Sequence, residues 1–403
     1  MVISEETVKY SLKNLNQDKF RSFLTILSIF IGITAIFIFI SFGIGLYEYV
    51  NEFAGSSSAD KITIMTKGTG APGLDDTFAL TQEDVDIIDK TAGVYESSAM
   101  YFKPAEIKQK KLTKYAFIIG YEPDKPIIFE VSNIDLYKGR KLRAGDKGKV
   151  VLGYNYLLPD KIFPEAYDIN DKIEIQGQDF RIVGFYESVG NPQDDSQIYT
   201  TNSEMESLYG DDLKGYTMVM AEVDIKNINT IIERVEKNLR KSRNLEEGKE
   251  DFYVQSWQEL LETYNNVLNG IVGFIIAIAF VSIIISAINT ANTMITSVLE
   301  RRKEIGIMKA VGAKNSEIFK QFLFESSVLG FIAGILGTAL GATISYGIGY
   351  FLTIAGWSFL SPSFSWQLFV GLIAFATKAG GISGAIPAYR ASKINPVEAL
   401  RHE

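Results

Sequence analysis

The side chains that could do covalent chemistry are few and poorly grouped. The only histidine is His402, beside the last residue, and there is no cysteine. Thiol nucleophiles, disulfides and zinc–thiolate sites are excluded, and so are a Ser-His-Asp triad and a multi-histidine metal site. Carboxylates remain. Asp194–Asp195 and Asp211–Asp212 are adjacent pairs in turn-like segments. Acid–base work needs carboxylates that converge on a reacting atom. Neighbours in a turn are ordinarily solvated, so neither pair is assigned a role. "GRKLRAGDKG", Gly139–Gly148, has the composition of a phosphate cradle. It lacks the G-x-x-x-x-G-K-[ST] pattern and the strand–loop–helix setting that aims backbone N–H groups at phosphates, and it reads as a surface turn. That pattern occurs nowhere in the sequence. The chain is expected to have no catalytic residue, no metal site and no cofactor of its own, and not to hydrolyse ATP alone.

The stretch that invites a different kind of chemistry is "ERRKEIGIMKAVGA", Glu300–Ala313. Its charges are interleaved with Ile305, Ile307, Met308 and Val311 at helical spacing, and Gly312 is placed as the residue that stops the helix. Asn315 or Ser316 would cap a following helix. Such a short amphipathic helix either packs its apolar side on its own surroundings or offers it to another protein. Further on, "NPVE" places Asn395 as N-cap, Pro396 at the first helical position and Glu398 at the third, a capping-box-like start. Lys378 is the odd residue, 12 positions from both Trp366 and Arg390 within an apolar run. A charge there is costly unless paired or snorkelling.

The elements that position these residues are long apolar runs. Phe23–Tyr47 and Val267–Leu299 carry no charge, and a membrane span needs about 20 apolar residues. Val267–Leu299, at about 1.5 Å per residue, is too long for a core of about 30 Å, so its ends should project. The run from Ser326 to Thr377 is broken by Gly356 and Pro362 into two helices. The expected order is an amphipathic N-terminal helix (1–21), a first span and stalk (22–50), a large domain (51–262), a stalk and second span (263–299), a charged link (300–325), spans three (326–355) and four (366–388), and a tail (389–403). Ser4 would cap the first helix, with Val8, Leu12 and Leu15 on its apolar side.

Charge sets the orientation. Residues 48–262 hold 26 Lys and Arg against 39 Asp and Glu, while the remainder holds 14 against 9. Lys9, Lys13, Lys19 and Arg21 precede span one. Arg301, Arg302, Lys303, Lys309, Lys314 and Lys320 lie in the link, and Arg390, Lys393 and Arg401 in the tail. The loop between spans three and four has no charge. By the positive-inside rule, termini and link are cytoplasmic and the large domain lies outside. A net charge of −8 argues against a nucleic-acid partner. Span three carries Gly330, Gly334, Gly337 and Gly341, whose spacing permits close helix approach within one subunit or between two.

The outer block alternates strand-like and helix-like patterns, the mark of an α+β domain. "KITIM", "YAFIIGY", "KVVLGY" and "YTMVMAEV" read as strands, and "KIEIQGQDFRIVGF" as a hairpin turning at "QGQ". "TQEDVDIIDKTAGV" is a helix capped by Thr81. "NINTIIERVEKNLRKS" is a second, with Ile228, Ile231, Ile232, Val235 and Leu239 on one side.

Three stretches in this order resemble the FtsX/MacB-like permeases of type VII ABC transporters. They are "LKNLNQDKFRSFLTILSIFIGI" (Leu12–Ile33), "ERRKEIGIMKAVGA" followed by "ESSVLGFIAGILG", and "GAIPAYRASKINPVEALRHE" (Gly384–Glu403). The resemblance implies a multi-pass helical membrane protein of four spans, with a two-lobed α+β extracytoplasmic domain between the first two. One lobe would be discontinuous, near 58–120 and 215–260. It implies a homodimer in a cell membrane, served by a separate cytoplasmic ATPase that carries the ATP-Mg. Closure of that ATPase would move the stalk and the outer domain, a mechanotransmission that exports or extracts a substrate. Glu300, Arg301, Glu304, Ile305, Gly306, Met308, Lys309 and Gly312 would form the coupling element in an ATPase groove, supported by Arg390, Pro396 and Glu398 of the tail. The resemblance also leaves open an FtsX-like regulator of an outer hydrolase or sensor. A membrane-anchored binding module without an ATPase is a third reading.

Overall fold

A computed structural model of the chain describes residues 19–53, 59–67, 78–132 and 134–401. The expected amphipathic lead, with Ser4, Val8, Leu12 and Leu15, falls outside the described residues, and residues 19–21 already belong to the first long helix. In chain order the first elements are α1 (Lys19–Phe53), β1 (Lys61–Thr66), α2 (Gln82–Asp89), β2 (Val94–Gln109), β3 (Leu112–Tyr121) and α3 (Ile127–Ser132). Next come β4 (Leu136–Gly139), β5 (Lys149–Leu152), β6 (Lys172–Ile175), β7 (Gln178–Tyr186), β8 (Ile198–Thr201), α4 (Asn202–Tyr209), β9 (Met218–Val223) and α5 (Ile228–Ser242). The last are β10 (Phe252–Ser256), α6 (Trp257–Glu300), α7 (Arg302–Ala310), α8 (Asn315–Ala355), α9 (Trp366–Ser392) and α10 (Pro396–Arg401). They form two compact units, one of Met1–Leu46, Val267–Leu352 and Leu360–Glu403, the other of Tyr47–Asn266 and Thr353–Phe359.

The second unit is a mixed-sheet α+β domain with strand order β10-β1-β9-β2-β3-β8-β5-β7-β4, and β6 pairs with β2 and β7. The 16-residue β2 joins its halves. Val94–Met100 pairs with β9, and Tyr101–Gln109 pairs with β3. Pro104 sits inside this strand, where a missing N–H would normally break a ladder. It falls in the gap after the β9 pairing ends at Met100 and before the β6 pairing begins at Ile107, so it needs a partner on one side only. Gln176 and Gly177 both take positive φ (50° and 77°), the two-residue turn geometry that "QGQ" promises.

α2 and α5 pack against the sheet. α5 buries Ile231, Val235 and Leu239, one side of a helix at period 3.6. α2 starts in a full capping box, with Thr81 N–H donating to Asp84 Oδ2 at 2.7 Å and Asp84 N–H donating to Thr81 Oγ1 at 3.4 Å. Asp84 also receives the Arg243 guanidinium at 2.6 Å, and Arg243 reaches Asp251 at 2.7 Å. Burial alone would raise the Asp84 carboxyl; the hydrogen bonds and charge of Arg243, with Thr81, outweigh it and hold it below the usual range.

In the first unit, α1, α6, α8 and α9 are long and apolar enough to cross a membrane. α6 is longer than its apolar run, with 44 residues. It begins directly at the end of β10. Ser256 N–H donates to Glu259 Oε2 at 2.9 Å and Glu259 N–H to Ser256 Oγ at 3.0 Å, so "SWQE" is a capping box.

The glycines of α8 divide their work between two neighbours. A Cβ on Gly330 would stand 2.4 Å from the carbonyl oxygen of Ala376, and one on Gly334 2.9 Å from the Ala376 side chain, both on α9. A Cβ on Gly337 would meet Ile33 at 3.0 Å, and one on Gly341 would meet Phe37 at 2.8 Å, both on α1. Thr34 Oγ1 donates to the Gly337 carbonyl at 3.2 Å, and Ser41 Oγ donates to Ser345 Oγ at 3.1 Å along the same seam. The sequence left contact within a subunit and contact between subunits equally open; these four glycines serve packing within the chain.

Candidate functional site

α7 is separated from α6 by one residue, Arg301, and from α8 by Val311–Lys314. Arg301 pins this corner. Its guanidinium lies 3.2 Å from Glu325 of α8 and 3.3 Å from Glu304, and it covers the Phe322 ring at 5.4 Å from the centroid. Arg301 and Glu325 are both largely buried, so each is the other's charge compensation.

The apolar side of α7 faces inward. Ile305 is 1% exposed and packs with Met294 and Val298 of α6, Ile318 and Phe322 of α8, and Ala388 and Ala391 of α9. Gly306 is buried beside it, and Met308 closes the edge of the cluster. The C-terminus of α7 is a Schellman motif. Gly312 has φ of 109°, its N–H donates to Lys309 O, and Ala313 N–H donates to Met308 O, both at 3.0 Å.

Lys309 does not reach into solvent. Its ammonium donates to the carbonyls of Ser392 and Ile394 at 2.7 and 2.8 Å, at the C-terminus of α9, where the helix dipole favours a cation. Burial, with Lys393 adding, holds its pKa below the ordinary lysine range. Asn395 caps α10 through the N–H of Val397 at 3.0 Å, Pro396 is its first residue, and Glu398 lies 3.7 Å from Arg302 of α7. Arg390, in the last turn of α9, is exposed.

The expected apolar docking edge therefore splits. Ile305 is an internal packing residue, because α6, α8 and α9 enclose that side of α7. The open side carries Ile307, 49% exposed, and Val311, 85% exposed, beside Lys303 and Glu304. Glu300 ends α6 on an exposed position.

Elsewhere the structure settles several readings of single residues. Asp195 is buried rather than solvated. Its carboxylate accepts from Ser188 Oγ at 2.6 Å and from the N–H groups of Val189 and Gly190 at 2.7 and 3.2 Å. Asp211 and Asp212 are exposed. The basic turn 139–148 is organised by Asp146, which accepts from Arg140 at 2.6 and 3.0 Å, Lys149 at 2.7 Å and the Arg143 N–H at 3.0 Å. Arg140 foremost holds that carboxyl well below the usual range. Of the turn's own cations, the Arg140 side chain is paired internally. Lys378 is exposed on α9, and among the described residues no acid pairs with it.

Comparison with known proteins decides the family. The MacB-like periplasmic core domain matches residues 22–237, and the FtsX-like permease C-terminal domain matches residues 276–396. The chain is 33% identical over 403 residues to the uncharacterized ABC transporter permease MJ1507 of Methanocaldococcus jannaschii, covering 99% of this chain and 98% of that one. The chain belongs to the MacB/FtsX-like family of ABC transporter permeases. This permease is also 26% identical over 409 residues to the macrolide export ATP-binding/permease protein MacB of Neisseria gonorrhoeae, with 99% of its own length matching 61% of MacB. The crystal structure of the periplasmic region of MacB from Actinobacillus actinomycetemcomitans resembles it with a TM-score of 0.42 at 14% identity, over 52% of this chain and 94% of that one.

The permease is thus a membrane protein with a large extracytoplasmic domain. Of its expected coupling residues, Arg301, Ile305, Gly306, Met308 and Lys309 converge on one packed corner with Glu398 nearby, while Glu300 and Gly312 mark the ends of α6 and α7. Glu325 was missed. A signal existed, since an acid embedded in the apolar "FLFESSVLGF" is expensive without a partner, and Arg301 supplies one.

Proposed function

We propose that this permease couples ATP hydrolysis by a separate cytoplasmic ATPase to movement of its extracytoplasmic domain, and so drives export or extraction of a substrate. The observation that carries the reading is the anchoring of α7. It is tied to α8 by Arg301–Glu325, to α9 by Lys309 and to α10 by Arg302–Glu398, yet it turns two apolar side chains outward. A helix held on three sides and sticky on the fourth can receive a push and pass it to the helices it is locked to. The name of its relative MacB joins an ATP-binding part to a permease part, which supports an ATPase as the partner of this permease. The termini and α7 lie in the cytoplasm on this reading. A second copy of the chain is expected to complete the assembly. Among the described side chains in the most apolar stretch of α6 none is buried within the chain, which leaves that stretch for lipid and the second copy.

Ile307→Asp and Val311→Asp test the reading. Both positions are exposed, so the fold should survive, while an ATPase whose turnover depends on the permease should lose at least about tenfold of that stimulation, the scale of one interface anchor. Full stimulation in the double variant would refute the α7 assignment. Ile305→Asp serves as the contrast: it buries a charge and should lower stability before it affects coupling.

A further inference from the structure

The extracytoplasmic domain holds a cavity of about 560 Å³, within the range of about 300–1,000 Å³ typical of small-molecule sites. It lies against the face of the sheet. Met65, Met100, Met218 and Met220, from β1, β2 and β9, supply one wall. Four thioethers give an apolar surface that adapts to shape. Tyr49 at the outer end of α1, with Trp257 and Tyr264 at the start of α6, adds aromatic rings from the helices that continue into the other unit.

One corner is polar. Asp194 lines it, with its carboxylate accepting from the side-chain amides of Asn191 and Gln197, both at 2.8 Å. These donors are neutral. Among the described residues no Lys or Arg forms an ion pair with Asp194 or with the neighbouring Asp195. The corner therefore keeps uncompensated negative charge at the edge of an apolar, ring-lined space. Burial, then the charge of Asp195, raises the Asp194 carboxyl above its usual range, the response of a carboxylate that lacks a cation.

We propose that this cavity binds an amphiphilic cation, a molecule with an apolar body and an ammonium-type group, and that Asp194 receives the cationic end. The carboxylate supplies a charge-assisted hydrogen bond, the aromatic rings attract a cation over their faces, and the methionine wall accepts apolar bodies of varied shape. The site belongs to the outer domain and needs no motor to bind, so its failure would leave the coupling reading standing.

The full chain, held in discs of neutral phosphatidylcholine, provides the test. Trp357→Phe and Trp366→Phe leave Trp257 as the only reporter indole in the chain, which has three tryptophans. Titration with 4-phenylbutylamine should change its emission saturably. The neutral isostere 4-phenylbutan-1-ol should bind at least about tenfold more weakly, the scale of a hydrogen bond to a charged group. Asp194→Asn should bring the amine down to the alcohol's affinity and leave the alcohol unchanged. Val50→Phe, which narrows the cavity from α1, should weaken both. Absence of a saturable change, equal binding of amine and alcohol, or an Asp194→Asn variant that binds the amine as before would each overturn the proposal. If Asp194→Asn does not fold, the amine–alcohol comparison on the parent chain decides.

Discussion

Replacing Gly330 by alanine should loosen the α8–α9 pair. The added Cβ would sit 2.4 Å from the Ala376 carbonyl oxygen, about 1 Å inside the 3.4 Å at which ordinary contact begins. The obstacle is backbone, which cannot swing aside. The contact is also reciprocal, since a Cβ on Gly380 would lie 2.6 Å from the Ser326 carbonyl and 3.0 Å from Gly330 Cα. The two helices would have to separate along this seam, and overpacking of this kind costs about 1–3 kcal/mol. That corresponds to a fall in the folding equilibrium of roughly fivefold to 150-fold. Gly347→Ala, on the same helix with nothing within 4 Å of its Cβ, is the matched control. It should be neutral or gain up to about 1 kcal/mol from helix propensity. Equilibrium unfolding in lipid discs would read both. The Gly330→Ala, Gly380→Ala double variant should cost less than the separate losses combined, because both act on one contact. Equal stability of the Gly330 and Gly347 variants would refute the steric account. A Gly330→Ala chain of full stability that no longer self-associates would instead place the glycine between subunits.

Gly312→Ala should fray α7, because φ of 109° is open to glycine and strained for any side chain. A cost of about 1–2 kcal/mol should appear as roughly fivefold to thirtyfold faster amide exchange at positions 312 and 313; unchanged protection would contradict the Schellman assignment. Arg243→Leu should destabilise the outer domain by about 3–5 kcal/mol at neutral pH, the usual loss when one member of a buried ionic cluster goes. The pH dependence fixes the cause. Asp84 has a folded pKa below its unfolded value of about 3.9, so its pairing stabilises fully above that value and is lost as pH falls through the folded pKa. The gap between parent and variant should shrink below about pH 4; a gap constant down to pH 2 would show that packing, not charge, carries the effect.

Features set by composition and local periodicity were legible in the sequence. The apolar runs became α1, α6, α8 and α9, Thr81 became a cap, and the period of Ile231, Val235 and Leu239 became the inner side of α5. Features decided by partners far along the chain were not. β2 contains Pro104, which argues against a strand until the gap between its β9 and β6 pairings is known. The start of α6 was written in "SWQE", but the aromatic and polar residues around it masked the cap, and the apolar run alone pointed ten residues further on. The candidate site shows the same division. Periodicity gathered Ile305, Met308 and Val311 on one edge, but it could not say that α6, α8 and α9 cover Ile305 and leave Val311 bare. Nor could Lys309 be told apart from a solvent-facing lysine before α9 was seen to end beside it.

On the proposed reading, the transmission through α6 has little slack. Ser256 is both the last residue of β10 and the cap of α6, and Glu300 is separated from α7 by Arg301 alone. A helix of 44 residues is about 66 Å long and stiff against stretching. Displacement of α7 must therefore either carry β10 with it or bend α6 on the way. Bending is easiest where side chains are absent, and Gly270 and Gly273 stand one turn apart with open space at both Cβ positions. These glycines lie beyond Tyr264, the last residue of α6 that lines the cavity. A bend there would lessen the motion that reaches the wall of the cavity. Alanine at both positions would stiffen the shaft, and should raise coupling if the outer domain is driven through α6.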